Sequence, residues 1–153
     1  MDYEPSFSVR SGPDPEVVSE VAGVLKEAKK PVIYAGQGIH YAEAWQELKD
    51  LAELLKIPVT TSLQGKSAFP ESHPLSLGSG GRAAPSPVFQ AINEADVIFG
   101  IGCSFATTGF GLAMPAGKTY IHATLDPQDL NKDVQANHAL IGDAKLILQA
   151  LLE

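Results

Sequence analysis

The sequence predicts an α/β fold in which one open parallel sheet is covered by helices on both faces. Helical and strand-like segments alternate along the chain, and the strand-like segments are short, continuous apolar runs. Such runs are typical of parallel strands that are buried on both faces. Glycine-rich turns follow several of them, the first being Gly36-Gln37-Gly38. Parallel strands end at a common edge, and open sheets bind their ligands there.

The first helix begins at the segment Asp14-Pro15-Glu16. Asp14 is a good N-cap residue, and Pro15 suits the first helical position. The helix then has one apolar face, made of Val17, Val18, Val21, Leu25 and Ala28. A buried strand over 32–35 follows it and leads into the glycine turn. Residues 1–13 show little periodicity, so we expect a linker or extended arm there and a domain over 14–153.

The later elements follow from the same alternation of periods. We expect helices over 42–55, 87–94 and 143–152, and strands over 57–61, 96–101, 119–125 and 138–141. A long loop rich in Gly, Ser and Pro joins the second strand to the helix at 87. The pattern alone therefore yields five strands, linked by right-handed crossovers.

Composition excludes several classes of function. The chain has 153 residues, a length that fits one domain, and a formal net charge of −7. Its 11 Lys and Arg residues are scattered, which argues against a nucleic-acid surface. No apolar run is long enough to span a bilayer. Cys103 is the single cysteine, so no internal disulfide can form, and we expect a reducing compartment, the cytoplasm by default.

The glycine turns allow two interpretations. Gly36-Gln37-Gly38 lets the backbone approach a ligand, or it is a tight turn that only feeds a helix. A full dinucleotide motif would need a glycine where Tyr41 stands. The run Gly65-Lys66-Ser67 is not a phosphate-binding loop, because Thr60 occupies the position of the leading glycine.

Other chemical candidates also have plain structural alternatives. His73 is interpreted as a turn histidine rather than a base, and Cys103 as a small buried residue rather than a reactive thiol. Asp126 follows a strand and could accept from a ribose hydroxyl, or form an Asp-Pro turn. The hydroxyls at strand ends, those of Ser62, Ser104 and Thr108, could bind phosphate or ribose, or cap turns. No catalytic constellation or metal-ligand spacing is present in the sequence.

Six segments in order resemble the central domain of thiamine-diphosphate-dependent enzymes, with the acetolactate synthase-like group most similar. They are 30–38 (KPVIYAGQG), 57–66 (IPVTTSLQGK), 73–78 (HPLSLG), 95–102 (ADVIFGIG), 125–127 (LDP) and 141–144 (IGDA). The resemblance runs from about residue 14 to the end. It implies a Rossmann-like three-layer fold of the DHS-like NAD/FAD-binding type, with a six-stranded parallel sheet.

The resemblance also implies a role. Such enzymes have three α/β domains, and the first and third bind the pyrimidine and diphosphate ends of thiamine diphosphate, with magnesium. This chain resembles the domain between them, so we expect it to be non-catalytic and to bridge its neighbours. The parent enzyme would be a lyase or transferase acting on 2-oxo acids, by carboligation or decarboxylation, as a homodimer or homotetramer.

In relatives the central domain holds FAD, ADP, part of coenzyme A, or no ligand. By position, the implied contacts are Gly36, Gln37, Gly38, Ser62, Leu63, Gln64, Leu77, Gly78, Ser79, Gly80, Gly102, Ser104, Asp126, Gly142, Asp143 and Ala144. The FAD-binding members resemble a pattern with two arginines where this chain has Ser104 and Thr108. Losing two charge-assisted contacts weakens the case for FAD relative to an adenine nucleotide or an empty crevice.

A different class of protein is an alternative. An independent nucleotide-binding module, of the electron-transfer flavoprotein or sirtuin-like type, has a similar sheet. One cysteine excludes the Cys₄ zinc site that sirtuins usually carry. An electron-transfer flavoprotein would be yellow when purified.

Overall fold

The computed structural model describes residues 9–153. Its centre is a six-stranded, all-parallel sheet with the strand order β3-β2-β1-β4-β5-β6. The strands are β1 (Pro31–Ala35), β2 (Val59–Thr61), β3 (Ser76–Ser79), β4 (Val97–Ile101), β5 (Thr119–Thr124) and β6 (His138–Ile141). The predicted parallel α/β architecture is therefore confirmed. Because the order reverses between β1 and β4, a crevice is expected where these two neighbours end.

Helices cover both faces of the sheet and complete three layers. They are α1 (Pro15–Glu27), α2 (Gly38–Ala42), α3 (Trp45–Leu55), α4 (Ser86–Glu94) and α5 (Ala144–Leu152). Helices α1, α2, α3 and α5 pack on one face, around Ile33, Phe99 and Ile121. Helix α4 packs on the other face together with the segment that follows β4. The β4 strand is buried along its whole length, as continuous apolar runs predict.

Asp14 caps the first helix as predicted, and Asp143, for which no capping role was predicted, caps the last helix. The Asp14 carboxylate accepts a hydrogen bond from the Glu16 amide at 2.9 Å, with Pro15 opening α1. At α5, Asp143 Oδ1 accepts from the amides of Lys145 and Leu146, at 3.0 and 3.2 Å. Each carboxylate satisfies amide groups that have no partner inside the helix.

The helix expected over 42–55 is confirmed over 45–55, where α3 lies, whereas the separate short helix α2 at 38–42 was not expected. Helix α2 ends at Ala42, and the residue that follows it, Glu43, has a φ of 52° and donates its amide to the carbonyls of Ile39 and His40. Ala44 is then fully buried, and α3 starts at Trp45. Residues 38–55 are mostly good helix formers, so their sequence pattern does not reveal the break between α2 and α3.

The long loop expected after β2 is also partly wrong, because it contains the edge strand β3. Two side chains of β2 help to hold β3 in place: Thr60 Oγ1 donates to the Gly78 carbonyl at 2.8 Å, and Thr61 Oγ1 lies 3.0 Å from Ser79 Oγ. The sequence of β3, Ser-Leu-Gly-Ser, is short and mostly polar. Its strand conformation is supported by pairing with β2 rather than by its own pattern.

The arm expected over 1–13 is described only from residue 9. There it runs without regular structure across the carboxyl edge of the sheet, where the Ser11 carbonyl accepts from the Asp143 amide at 2.8 Å. Arg10 Nη1 donates to the Ala42 carbonyl at 3.2 Å. The rest of the expected arm lies outside the described residues, and the domain boundary at 14 stays a prediction.

Candidate functional site

A cavity of about 790 Å³ opens at the carboxyl ends of the strands, where the strand order reverses. We call it the crevice. It lies at the position where doubly wound sheets bind ligands, and its volume is in the range of small-molecule sites. The turns after β1, β2, β4, β5 and β6 all contribute to its walls.

Most of the predicted site residues line the crevice. These are Gln37, Gly38, Ser62, Leu63, Gln64, Gly102, Ser104, Asp126, Gly142, Asp143 and Ala144. The other predicted site residues, Gly36, Leu77, Gly78, Ser79 and Gly80, are not part of its lining, and the assignment of all these residues as ligand contacts stays a prediction. Leu77 to Ser79 belong to the edge strand β3, and Gly80 lies behind the crevice residue Leu112.

The glycines after β1 and β4 allow two backbones to touch. The Gly36 amide donates to the Ile101 carbonyl and the Gly38 amide to the Gly102 carbonyl, both at 2.8 Å. A Cβ on Gly36 would collide with the Gly102 carbonyl oxygen, and a Cβ on Gly38 would lie 2.6 Å from the Gly102 Cα. Gly38 is not among the glycines with positive φ, whereas Gly102 has a φ of 62°. Gly38 is therefore required for close approach and not for a left-handed turn.

This packing uses the amide groups with which the turn after β1 could bind an anion. The Gly38 amide is bonded to Gly102, and the amides of Ile39 and His40 donate back into their own turn, to Gly36 and Gln37. In phosphate-binding turns such amides point at the ligand. The turn after β1 thus stabilises contact between strand ends, which is the plainer of the two interpretations of its sequence.

Among residues 9–153, the charged side chains that line the crevice are all carboxylates: Asp126, Asp129 and Asp143. Asp126 Oδ1 accepts from the Gln128 amide at 2.9 Å and caps a short 3₁₀ turn, Pro127–Asp129, so it forms the Asp-Pro turn and faces the crevice as well. Asp129 pairs with Lys132 at 2.8 Å, and Asp143 lies 3.7 Å from Arg10. Neither of these cations lines the crevice.

The candidate hydroxyls are engaged in local turns. Ser62 Oγ accepts from the Gly65 amide at 2.9 Å, Ser104 Oγ from the Ala106 amide at 3.3 Å, and Thr108 Oγ1 from the Gly111 amide at 2.9 Å. The alternative in which these residues cap turns is therefore observed. Their hydroxyl hydrogens remain available as neutral donors.

The crevice has an aromatic and aliphatic wall that the sequence pattern did not predict. Tyr34 stacks on Phe105 with ring centroids 5.8 Å apart, and Phe110, Leu112 and Met114 continue this wall. Phe105 is 6% exposed, whereas Phe110 is 77% exposed at the mouth. The segment after β4 has no strand or helix periodicity, so only its position directly after the glycine end of β4 pointed to it.

Cys103, which is half-buried, and His122, which is fully buried, lie next to each other beside this wall. Burial raises the pKa of the Cys103 thiol to about 12, which favours the inert interpretation over a reactive thiolate. The Cys103 carbonyl accepts from Nε2 of His122 at 2.7 Å, and His122 itself is fully buried. Burial lowers the pKa of His122, and its Nδ1 has no hydrogen-bond partner in the described part of the chain. His122 is therefore neutral, with its proton on Nε2.

His73 is a turn residue, as expected. Its Nε2 lies 2.9 Å from Glu53 Oε1, and its Nδ1 accepts from the Leu75 amide at 3.1 Å. The ring also packs edge-on against Phe69 at 4.9 Å. Across residues 9–153 no group of three His, Cys, Asp or Glu side chains is arranged to hold a metal ion.

A family model for the thiamine pyrophosphate enzyme central domain matches residues 18–151. The chain belongs to this family. Membership agrees with the resemblance found in the sequence, and it favours the central-domain interpretation over an independent electron-transfer or sirtuin-like module.

Curated relatives of this central domain include large subunits of acetolactate synthase. The chain is 38% identical over 151 residues to a probable acetolactate synthase large subunit of Methanocaldococcus jannaschii, covering 97% of this chain and 25% of that protein. It is 40% identical over 137 residues to the acetolactate synthase large subunit of Buchnera aphidicola subsp. Schlechtendalia chinensis, covering 88% and 24%. The chain thus spans about a quarter of the length of these relatives.

A solved structure shares the fold closely. The benzoylformate decarboxylase of Polynucleobacter necessarius superposes with a TM-score of 0.81 at 32% identity, over 99% of this chain and 29% of that one. The likeness supports the Rossmann-like classification of the six-stranded sheet.

Among the helices of residues 9–153, none has the length and apolar character needed to cross a membrane.

Proposed function

We propose that this chain is the non-catalytic central domain of a thiamine-diphosphate-requiring enzyme of the acetolactate synthase-like group. Its role is to connect and brace the pyrimidine-binding and diphosphate-binding domains of the same polypeptide. The observation that carries the proposal is the family match over 18–151, in a chain that spans about a quarter of its relatives. The parent acts on 2-oxo acids by carboligation or decarboxylation.

The chemistry of the crevice supports a role without catalysis. A general base or nucleophile needs an accessible group with a suitable pKa. Cys103 has its pKa raised by burial, and the ring proton of His122 is committed to the Cys103 carbonyl. Asp126 and Asp143 accept from backbone amides as caps. Within residues 9–153, the crevice therefore presents no nucleophile paired with a base.

Thiamine diphosphate and magnesium belong to the flanking domains in this proposal, and would supply the carbanion chemistry of the parent. A nucleotide in the crevice itself is a separate matter. FAD, ADP and coenzyme A all carry a diphosphate, which is best held by backbone amides and by arginine or lysine. Here the Gly38 amide is bonded to Gly102, and the charged lining is acidic. The residues present do not fit a diphosphate.

The proposed partners are the two flanking domains, in a homodimeric or homotetrameric parent. The proposed compartment is the cytoplasm. Cys103 is the single cysteine, so the chain cannot form the internal disulfide that an oxidising compartment would favour.

Two measurements test the non-catalytic, bridging role. Purified 153-residue chain, supplied with thiamine diphosphate, magnesium and pyruvate, should consume no pyruvate above a protein-free control. Turnover by the chain alone would overturn the proposal. In the full-length protein, replacing residues 14–153 by a flexible linker of similar reach should abolish turnover, because the flanking domains lose their fixed geometry. Retained activity in that deletion would show that no bracing is needed.

A further inference from the structure

We propose that the crevice binds an uncharged, hydroxyl-bearing aromatic ligand of the nucleoside class and excludes ligands that carry a diphosphate. The crevice is present whether or not the chain bridges two catalytic domains, so ligand binding and the bridging role can fail separately. The proposal rests on the charge of the crevice, the use of its amide groups and the chemistry of its walls.

The charge of the crevice opposes phosphate. Asp129 pairs with Lys132 and Asp143 lies close to Arg10. Neither of these two cations lines the crevice. Asp126 makes no ion pair with any residue in the described range. The eight residues before that range contain two acidic and no basic side chains. Asp126 is exposed, so solvent screens its repulsion of a diphosphate and the effect is largest at low salt, but no lysine or arginine among the described residues that line the crevice offsets it.

Neutral donors do not offset this charge. The Gly38 amide, which is placed where a phosphate-binding turn would donate, is bonded to the Gly102 carbonyl at 2.8 Å. Ser104 and Thr108 retain hydroxyl hydrogens, and these are single neutral donors on side chains already fixed by turns. Such donors suit a ligand hydroxyl or ring nitrogen, and hydrogen bonds between neutral groups are about half as strong as charge-assisted ones.

The walls of the crevice favour a planar ligand with hydroxyl donors. Tyr34 and Phe105 are stacked along one wall, and Phe110 stands exposed at the mouth, free to cover a ring. Aromatic pairs prefer offset or edge contacts of this kind. Asp126 supplies a hydrogen-bond acceptor for such a ligand. Its Oδ1 accepts from the Gln128 amide, and its Oδ2 has no hydrogen-bond partner in residues 9–153. A carboxylate placed so at a strand end accepts from a ribose diol.

Calorimetric titration of the 153-residue chain with adenosine, ADP and FAD tests the proposal. We expect adenosine to bind, and ADP and FAD to bind at least about tenfold more weakly at low salt. The difference in affinity between adenosine and the two diphosphate ligands should decrease at 0.5 M salt, because screening weakens the repulsion. Tighter binding of ADP or FAD than of adenosine would overturn the proposal, and so would the absence of adenosine binding at millimolar concentration.

A pair of matched variants tests the cause. Ser104→Arg combined with Thr108→Arg should raise the affinity for ADP by at least about tenfold, with little change for adenosine. Ser104→Gln with Thr108→Gln adds comparable bulk without charge and should leave ADP affinity unchanged. Thermal unfolding of both variants establishes that they are folded. An arginine pair that folds and does not gain ADP affinity would show that charge is not what excludes the diphosphate.

A third variant addresses the carboxylate. Asp126→Asn keeps the capping oxygen and removes the charge. It should therefore lower the affinity for adenosine and raise the affinity for ADP. Equal changes for both ligands would contradict the assigned role of Asp126. These readouts are affinities of the isolated chain, whereas the bridging role is read from turnover of the full-length protein.

Discussion

Phe105 should be a principal support of the crevice wall, although it lies in a segment without regular structure. Its ring is 6% exposed, stacks on Tyr34 at 5.8 Å, and meets the rings of Tyr120 and His122 edge-on at 5.6 and 4.9 Å. Full burial of a phenylalanine side chain stabilises a fold by about 1.5–3 kcal/mol relative to exposure, and the cavity left by truncation adds to the loss. Truncation in a core typically costs about 3–5 kcal/mol. We therefore expect Phe105→Ala to lower the free energy of unfolding by about 3–5 kcal/mol.

Phe110 provides the matched control, because it is a phenylalanine of the same segment that is 77% exposed. Phe110→Ala should cost less than about 1 kcal/mol. Urea denaturation followed by circular dichroism gives both values, and Phe105→Leu, with an expected cost near 1.5 kcal/mol, supplies a graded variant if the alanine variant fails to fold. If Phe105→Ala and Phe110→Ala differ by less than about 1 kcal/mol, the wall is not supported by Phe105 and the reasoning from burial fails.

Two further predictions concern the glycine contact and the buried histidine. Gly38→Ala should destabilise the chain by more than about 2 kcal/mol, since its Cβ would lie 2.6 Å from the Gly102 Cα, whereas Gly23→Ala, inside α1 with nothing within 4 Å, should stabilise it by about 0.5–1 kcal/mol; equal urea midpoints would refute this. Burial lowers the pKa of His122, so the unfolded chain takes up a proton that the native state resists: stability from this group is complete above about pH 6.5 and is lost as the pH falls below it. The difference in urea midpoint between wild type and His122→Gln should therefore change below pH 6.5, and a constant difference from pH 5 to 8 would contradict the assignment.

Much of the fold followed from local pattern. The caps Asp14 and Asp143, the buried strands and the glycine ends of β1 and β4 each leave a signal within a few residues. The break between α2 and α3 at Glu43 leaves no such signal, because the segments on both sides of it contain mostly helix-forming residues. Prediction succeeded where short-range periodicity reports burial, and failed where a partner elsewhere in the chain decides the conformation.

The candidate site divides in the same way. The glycine turns and Asp126 could be placed at one edge, because parallel strands end together. Which turn residues face the crevice could not be predicted: Gly36 is packed under Gly102, and Leu77 belongs to an edge strand that borders β2.

By itself the sequence determined an α/β chain with parallel buried strands, glycine ends and the ordered segments of a thiamine-diphosphate-enzyme central domain. The tertiary structure alone decided what the turn after β1 does. The Gly38 amide donates a hydrogen bond to the carbonyl of Gly102, a residue far along the chain. The three carboxylates line the same crevice as the aromatic wall. The physical reason is that a glycine motif only permits another group to come close to the backbone. Whether that group is a ligand or another strand end depends on how distant segments of the chain pack.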